Sequence, residues 1–435
     1  MVDRSKVIFG NEIAESDYRA ACKSKENFIK KFGDDSAAVY HLAVADLPVI
    51  GERLGVKNLV MAPEGAAPLS FDEDAKPVIV GNIRMGFGHY RISMAIASAA
   101  HALGHTPYWF DLASFAGSTV SAVIGHQNDL YSMGSRLSQK VGAFDRLYWE
   151  PLNSEGFRQL AYNAGDQKTM ELGLPLFADL PRDIPYVATH AWPAQAAIHA
   201  GLTHVVNAIP DNWPMALHLA EGAIHAVQTP SAYLGYQQLR GMDKNRQLKP
   251  MPLSAIRCCG HYVDHELVAN IGRDCAARRE RLLGGGPVRW LLSVGGAGAQ
   301  QDLFAAIVQK LLPYVRANEA TLLINVGDHR GVWEGLLKDV EERPLTDEEK
   351  TRAASIMRVV NRISTISLLL GFFTGNGLSV LIKVSLGILH YTATEMVIML
   401  VLTSVYAFMA RQYAVDCFNA CARSELSKLG ITSTD

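Results

Sequence analysis

The chain has 435 residues, 49% of them hydrophobic and 19% charged, with a formal net charge of −2. That hydrophobic content excludes a mostly disordered chain, and the near-neutral balance carries no electrostatic footprint of a nucleic-acid binder. At roughly 100–200 residues per domain the length fits two domains, or three.

Met1–Lys6 has no apolar signal core behind it, so the bulk of the chain is expected in the reducing cytoplasm. The six cysteines, Cys22, Cys258, Cys259, Cys275, Cys417 and Cys421, form no C-x-x-C pair, and no disulfide scaffold or zinc ribbon is indicated. Residues 1–75 read as an N-terminal extension, with a charged helical stretch at 16–32 and a Pro/Gly/Ala-rich loop at 62–67. At Lys76 the pattern changes. Pro77-Val78-Ile79-Val80-Gly81-Asn82 is a short β-branched run, as in a buried parallel strand. A glycine-containing loop follows, Arg84-Met85-Gly86-Phe87-Gly88-His89. An Ala-rich helix over 91–103 then ends at Gly104, and 107–111 is the next strand. Strand, loop, helix and strand make a βαβ unit.

After a helical excursion over 112–180, strands are expected at 184–189, 203–208 and 223–229, with a helix at 194–200. A second βαβ unit starts at 288–294, continues through Gly295-Gly296-Ala297-Gly298 and a helix at 301–316, and closes with a strand at 321–326. The fold class is α/β: two Rossmann-like, doubly wound domains joined near 256–286. The expected division is 1–75, 76–255, 256–345 and 346–435. Within the last part, 363–389 and 392–409 are each close to the roughly 20 residues that span a bilayer. Arg352, Arg358 and Arg362 precede them; Arg411, Arg423 and Lys428 follow. That charge pattern fits a membrane hairpin with both ends in the cytoplasm. Asn376, Lys383 and Glu395 inside the spans fit a pair of buried core helices instead.

Four segments carry candidate chemistry, and the first is the loop Gly81–His89. His89, at a strand–loop–helix junction, has the titration range of a general base, or it caps the helix. Gly86 and Gly88 let backbone N–H groups approach an anion at the helix start, or only make the turn. Gly295, Gly296 and Gly298 have the same placement in the second unit. They form neither a P-loop nor a complete dinucleotide fingerprint. Asp211 and Trp213 follow the strand at 203–208, where open α/β sheets bind ligands, or they are a turn aspartate and a packing indole. His261, Asp264, His265 and Glu266 cluster without the H-E-x-x-H arrangement of a zinc site, and no metal is expected.

Taken together these segments resemble GT-B glycosyltransferases. The nearest group is that of the monogalactosyldiacylglycerol synthases, with the peptidoglycan lipid-intermediate GlcNAc transferases more distant. The likeness rests on Gly81–His89 with its Ala-rich helix, Thr189-His190-Ala191-Trp192-Pro193, Ala208-Ile209-Pro210-Asp211-Asn212-Trp213, the 256–267 crossover, 293–298, and Asn325-Val326-Gly327-Asp328. The chain departs from the group afterwards. No Lys-Pro-Gly-Gly-like loop and following sugar-binding Glu are found, so the second domain reads as incomplete.

The resemblance implies a membrane-associated enzyme at the cytoplasmic face. It would transfer a sugar from a nucleotide-sugar donor, UDP-linked, to a lipid or lipid-linked acceptor, with no further cofactor. His89 would be the base, Asp211 would lie on the acceptor side, and the glycines would hold the diphosphate. Two other readings stay open. One is a non-catalytic binding module on the same fold. The other is an NAD(P)-dependent oxidoreductase with Asp111 as its ribose-binding acid.

Overall fold

Short β-branched runs and Ala-rich runs alternate along the chain, and the elements follow them. The computed structural model describes residues 3–48, 50–84, 87–295, 298, 300–327 and 329–341. The chain divides into two units, Met1–Glu341 and Glu342–Asp435, and the elements below belong to the first. The apolar pair at 363–410 lies outside the described residues, among which no helix is long and apolar enough to cross a membrane.

A two-residue ladder opens the fold, β1 (Val7–Ile8) against β2 (Asn11–Glu12). It is followed by α1 (Glu15–Phe32), β3 (Leu42–Asp46), α2 (Ile50–Leu54) and β4 (Lys57–Met61). The first βαβ unit is β5 (Pro77–Asn82), α3 (Phe87–Ala102) and β6 (Thr106–Asp111). The helical excursion carries α4 (Thr119–Lys140), α5 (Gly142–Phe144) and α6 (Leu160–Met170). Then come β7 (Tyr186–Ala188), α7 (Ala191–His199), β8 (Val205–Ala208), β9 (Ile224–Val227), α8 (Pro230–Gln237) and β10 (Ile256–Cys258). The long α9 (His265–Leu283) leads to β11 (Val288–Ser293), α10 (Gln301–Arg316), β12 (Ala320–Asn325) and α11 (Arg330–Glu341).

Eight strands form one sheet in the order β10-β9-β8-β7-β5-β6-β4-β3. Every neighbouring pair is parallel except the edge strand β3, which runs antiparallel to β4. This is a mixed α/β fold around a mostly parallel sheet. It also corrects the expectation for residues 1–75, which supply β3 and β4 to that sheet and pack α1 against α6. Two five-residue strands, the edge strand β3 and its neighbour β4, are too short to stand out by alternation alone.

The order reverses at β5, which has β6 on one side and β7 on the other. Loops leaving β5 and β7 therefore diverge and open a crevice. Below it the central strands bury both faces. Ile79, Phe110 and Tyr186 pack with Val123, Met170 and Phe177, while Val80 and Trp109 pack with Ala97 of α3. The helix α3 starts four residues earlier than expected and ends one residue earlier, at Ala102. Gly104 takes φ +81°, and His105 N–H donates to the Ala100 carbonyl at 3.0 Å.

The second parallel pair, β11 and β12, runs in register from Val288↔Ala320 to Ser293↔Asn325. A small cluster of Val294, Ala305, Val332 and Leu336 forms its core. Leu291 and Leu323, opposite one another in that register, remain 68% and 49% exposed. Parallel strands are ordinarily covered on both faces, so this pair has the form of part of a larger sheet.

At the sheet centre, a Cβ on Gly81 would overlap the Tyr186 ring, which explains the glycine inside β5. The Tyr186 hydroxyl is buried there without a hydrogen-bond partner. An unsatisfied buried polar group costs about 1–3 kcal/mol. Tyr186→Phe is therefore expected to stabilise the fold by about 1 kcal/mol, read as a higher urea midpoint at unchanged slope. A lower midpoint would contradict this account.

Candidate functional site

The crevice at the β5/β7 switch is lined by imidazoles. His89 lies in the first turn of α3, just past β5, and its Nδ1 is 2.6 Å from the Thr189 carbonyl, just past β7. A carbonyl only accepts, so Nδ1 carries the hydrogen and Nε2 of the neutral ring keeps its lone pair. Ser93, one turn along α3, fixes this junction. Its hydroxyl donates to the His89 carbonyl at 3.0 Å and lies 2.7 Å from the Thr189 hydroxyl.

His190 is the N-cap of α7, where its Nδ1 accepts the Trp192 N–H at 3.1 Å. Its own hydrogen therefore sits on Nε2. The His89 and His190 rings meet edge to face with centroids 4.7 Å apart. Burial drives the pKa of His89 below its ordinary value of 6.5, opposed by the Thr189 carbonyl. Burial drives His190 well below that value, with the two other imidazoles of the site adding to it.

Asp211 follows β8, and its Oδ2 lies 3.0 Å from His218 Nε2, off the line of a good hydrogen bond. His218 holds the Asp211 carboxyl below the usual range, against burial, and His89 adds to the effect. The two histidines and the aspartate thus share one field.

The intervening segment has only a 3₁₀ turn, 216–218, so its carbonyls need other partners. Buried side chains supply them. Asn163 Nδ2 donates to the Ala216 and Leu219 carbonyls, 2.8 Å each, and Gln195 Nε2 donates to Leu219 at 2.8 Å. Asn207 Nδ2 donates to the His218 carbonyl at 2.7 Å, and Ala220 N–H donates to His225 Nε2 at 3.0 Å. Accepting that bond leaves His225 neutral, and burial takes its pKa to about 4.

The sequence singled out His89 and Asp211, and the structure brings them to one crevice. The position of His190 and His218 beside them was not read from the sequence. Asn82 was also missed. It ends β5 fully buried, with neither its amide oxygen nor its nitrogen bonded. The one available signal was an amide at the end of an apolar strand. Asp111 accepts the backbone N–H groups of Arg84 at 3.3 Å and Ala113 at 3.0 Å, so its carboxylate already braces the loop after β5.

Gly88 lies in the first turn of α3 with open space beside it, while Gly86 lies outside the described residues. Gly295 is exposed just past β11. Gly298 takes φ +64°, where a Cβ would overlap the His329 ring, and Gly296 lies outside the described residues. These glycines stand at the end of another strand, before α10, as the first loop stands before α3. His261 is engaged by Gln228 at 3.0 Å and Asp264 by the Arg91 guanidinium, with His265 opening α9. Among the described residues no three His, Cys, Asp or Glu side chains are grouped to hold a metal ion.

Two family descriptions match the chain. Residues 7–238, from β1 to α8, match the family described as Domain of unknown function (DUF6937). The chain belongs to that family. Residues 251–367 match a second description, Domain of unknown function (DUF6938). No curated protein and no solved structure matches the chain. His89, His190, Asp211 and His218 all fall within the first match; Gly295 and Gly298 fall within the second.

Asn207→Ala would leave the buried His218 carbonyl unpaired and is expected to cost about 1–3 kcal/mol. Urea denaturation checks this, and an unchanged midpoint would show that the turn is held by other means.

Proposed function

We propose that the chain is a GT-B-like glycosyltransferase, moving a sugar from a nucleotide-sugar donor, UDP-linked by resemblance, to a lipid or lipid-linked acceptor. The observation that carries this reading is His89: a neutral imidazole at the switch of a parallel sheet, with Nδ1–H committed to a carbonyl and Nε2 left as a base. In the step proposed, Nε2 takes the acceptor hydroxyl proton as that oxygen attacks the anomeric carbon. The bond to the diphosphate oxygen breaks, and its electron pair leaves with the diphosphate. The ionised Asp211 stabilises the imidazolium that forms.

Backbone N–H groups at Gly295, Gly296 and Gly298, ahead of α10, hold the diphosphate without a metal. Gly86 and Gly88 let the start of α3 approach the bound sugar. Support for a lipid acceptor comes from exposed apolar side chains along α4 and beyond, among them Tyr131, Met133, Leu137 and Leu147. The apolar stretches at 363–410 would hold the chain at the cytoplasmic face of a membrane.

The exposed Leu291–Leu323 pair, an apolar surface on the second parallel pair, favours one second reading, in which the fold is a non-catalytic lipid- or partner-binding module without a nucleotide site. UDP binding separates the two. An NAD(P)-dependent reading finds its acid, Asp111, already committed to backbone N–H groups.

The test is a transfer assay with UDP-sugars and lipid acceptors on the full chain. His89→Ala should lower turnover by about 100-fold or more, with UDP affinity by calorimetry unchanged. Because burial lowers the His89 pKa, the acid limb of kcat/KM should fall below pH 6.5. Gly296→Val should weaken UDP binding. Absence of UDP binding in the wild type would remove the donor site and the transfer reaction with it. Fractionation tests the membrane part separately. The full chain should resist carbonate extraction and a chain ending near Leu345 should not; a full chain soluble without detergent would refute the hairpin.

A further inference from the structure

A second cavity, of about 280 Å³, lies among α1, α4, α6 and the start of α7. It exists because α1 and α6 face each other there with small residues, including Ala20, Ala21 and Gly165. A Cβ on Gly165 would meet nothing within 4 Å. Asp166 and Trp192 are among the lining residues, only 8% and 5% exposed; Asp166 Oδ2 and Trp192 Nε1 are buried and bond to no other group, the indole lying beside the carboxyl. Phe28 and Tyr162 supply further aromatic wall, and Asp17 a second carboxyl.

Nothing nearby neutralises Asp166. Lys25 is held by Glu171 at 2.7 Å, and Lys168 by Asp3 and Glu171 at 3.0 and 2.9 Å. Of the other titratable groups on the packed elements, His199 contacts Gln167, His126 contacts Lys31, and His218 contacts Asp211. His190 turns its Nδ1 to the Trp192 backbone. Tyr162, on the same helix as Asp166, feels its charge.

We propose that this cavity binds a small organic ammonium ion, its N–H groups on the Asp166 carboxylate and its carbon skeleton against Phe28, Tyr162 and Trp192. A cation gains from the faces of aromatic rings as well as from the acid. The second carboxyl, Asp17, favours a cation over an anion. Burial pushes the Asp166 pKa up to about 7, against the Trp192 indole, which favours the ionised form. The empty cavity therefore holds this acid half-protonated near neutrality, and a bound ammonium expels the proton. A carbonyl ligand would behave oppositely, because it needs the protonated acid and the indole N–H as two donors. The site does not depend on the transfer reaction proposed above.

The experiment titrates the full chain, in nonionic detergent, with benzylammonium chloride by calorimetry, with benzyl alcohol as the neutral control. Affinity for benzylammonium should rise about tenfold from pH 6 to pH 8, as an acid of pKa near 7 ionises. Binding at pH 7 should release about half a proton per site, read from the dependence of the heat on buffer ionisation enthalpy. Asp166→Asn, which preserves shape, should weaken binding at least tenfold, and Gly165→Leu should abolish it by filling the space. Affinity that rises toward pH 6, equal binding of benzyl alcohol, or no binding at millimolar concentration would each overturn the proposal. The wild-type pH dependence decides even where a variant fails to fold.

Discussion

The 3₁₀ turn at 216–218 pairs the buried Ala216 carbonyl but not those of His218 and Leu219, and the arrangement of the crevice depends on how these are paired. Asn163 on α6, Gln195 on α7 and Asn207 on β8 reach the same short turn, and His225 on β9 receives the N–H that follows it. Each of these side chains is at most 1% exposed. Four separate elements are thereby tied to the segment that carries Asp211 and His218. The polar residues in the core are there because a turn without regular secondary structure has been brought inside.

That arrangement sets what was legible in the sequence. The strands at 77–82, 107–111 and 288–294 and the helix at 301–316 follow from β-branched runs, glycine stops and helical spacing, because those signals are local. The sheet order is not local. His89 and Thr189 are 100 positions apart and meet only because β7 returns to the free side of β5. No spacing rule announces that. His89 could be picked out because it stands at a strand–helix junction. His190 could not be given a role, because the role comes from the neighbour across the switch. Residues 1–75 were misread for a related reason: their two strands matter only as edges added to a sheet that begins later in the chain.

The electrostatics of the crevice follow from the same geometry. Two rings with centroids 4.7 Å apart and largely out of water cannot both be protonated at modest cost, and the pKa of each is lowered. The hydrogen bonds then separate their roles. His89 gives its Nδ1–H to a carbonyl and keeps Nε2 as an acceptor; His190 accepts at Nδ1 and keeps Nε2–H as a donor. The pair presents one base and one donor side by side.

Asp211 completes the balance. Its charge opposes the effect of burial on His89, while His218 works the other way. A proton arriving at His89 is met by a carboxylate already held ionised, so the charge that burial disfavours is compensated at the moment it forms. The opposite order, with His190 as the base, would place the new charge on the ring that burial penalises more. It would also place that charge on the ring whose Nδ1 lone pair is already spent on a helix cap. The asymmetry between two neighbouring histidines thus comes from backbone partners fixed by the fold, and it leaves His89 the more easily protonated of the two.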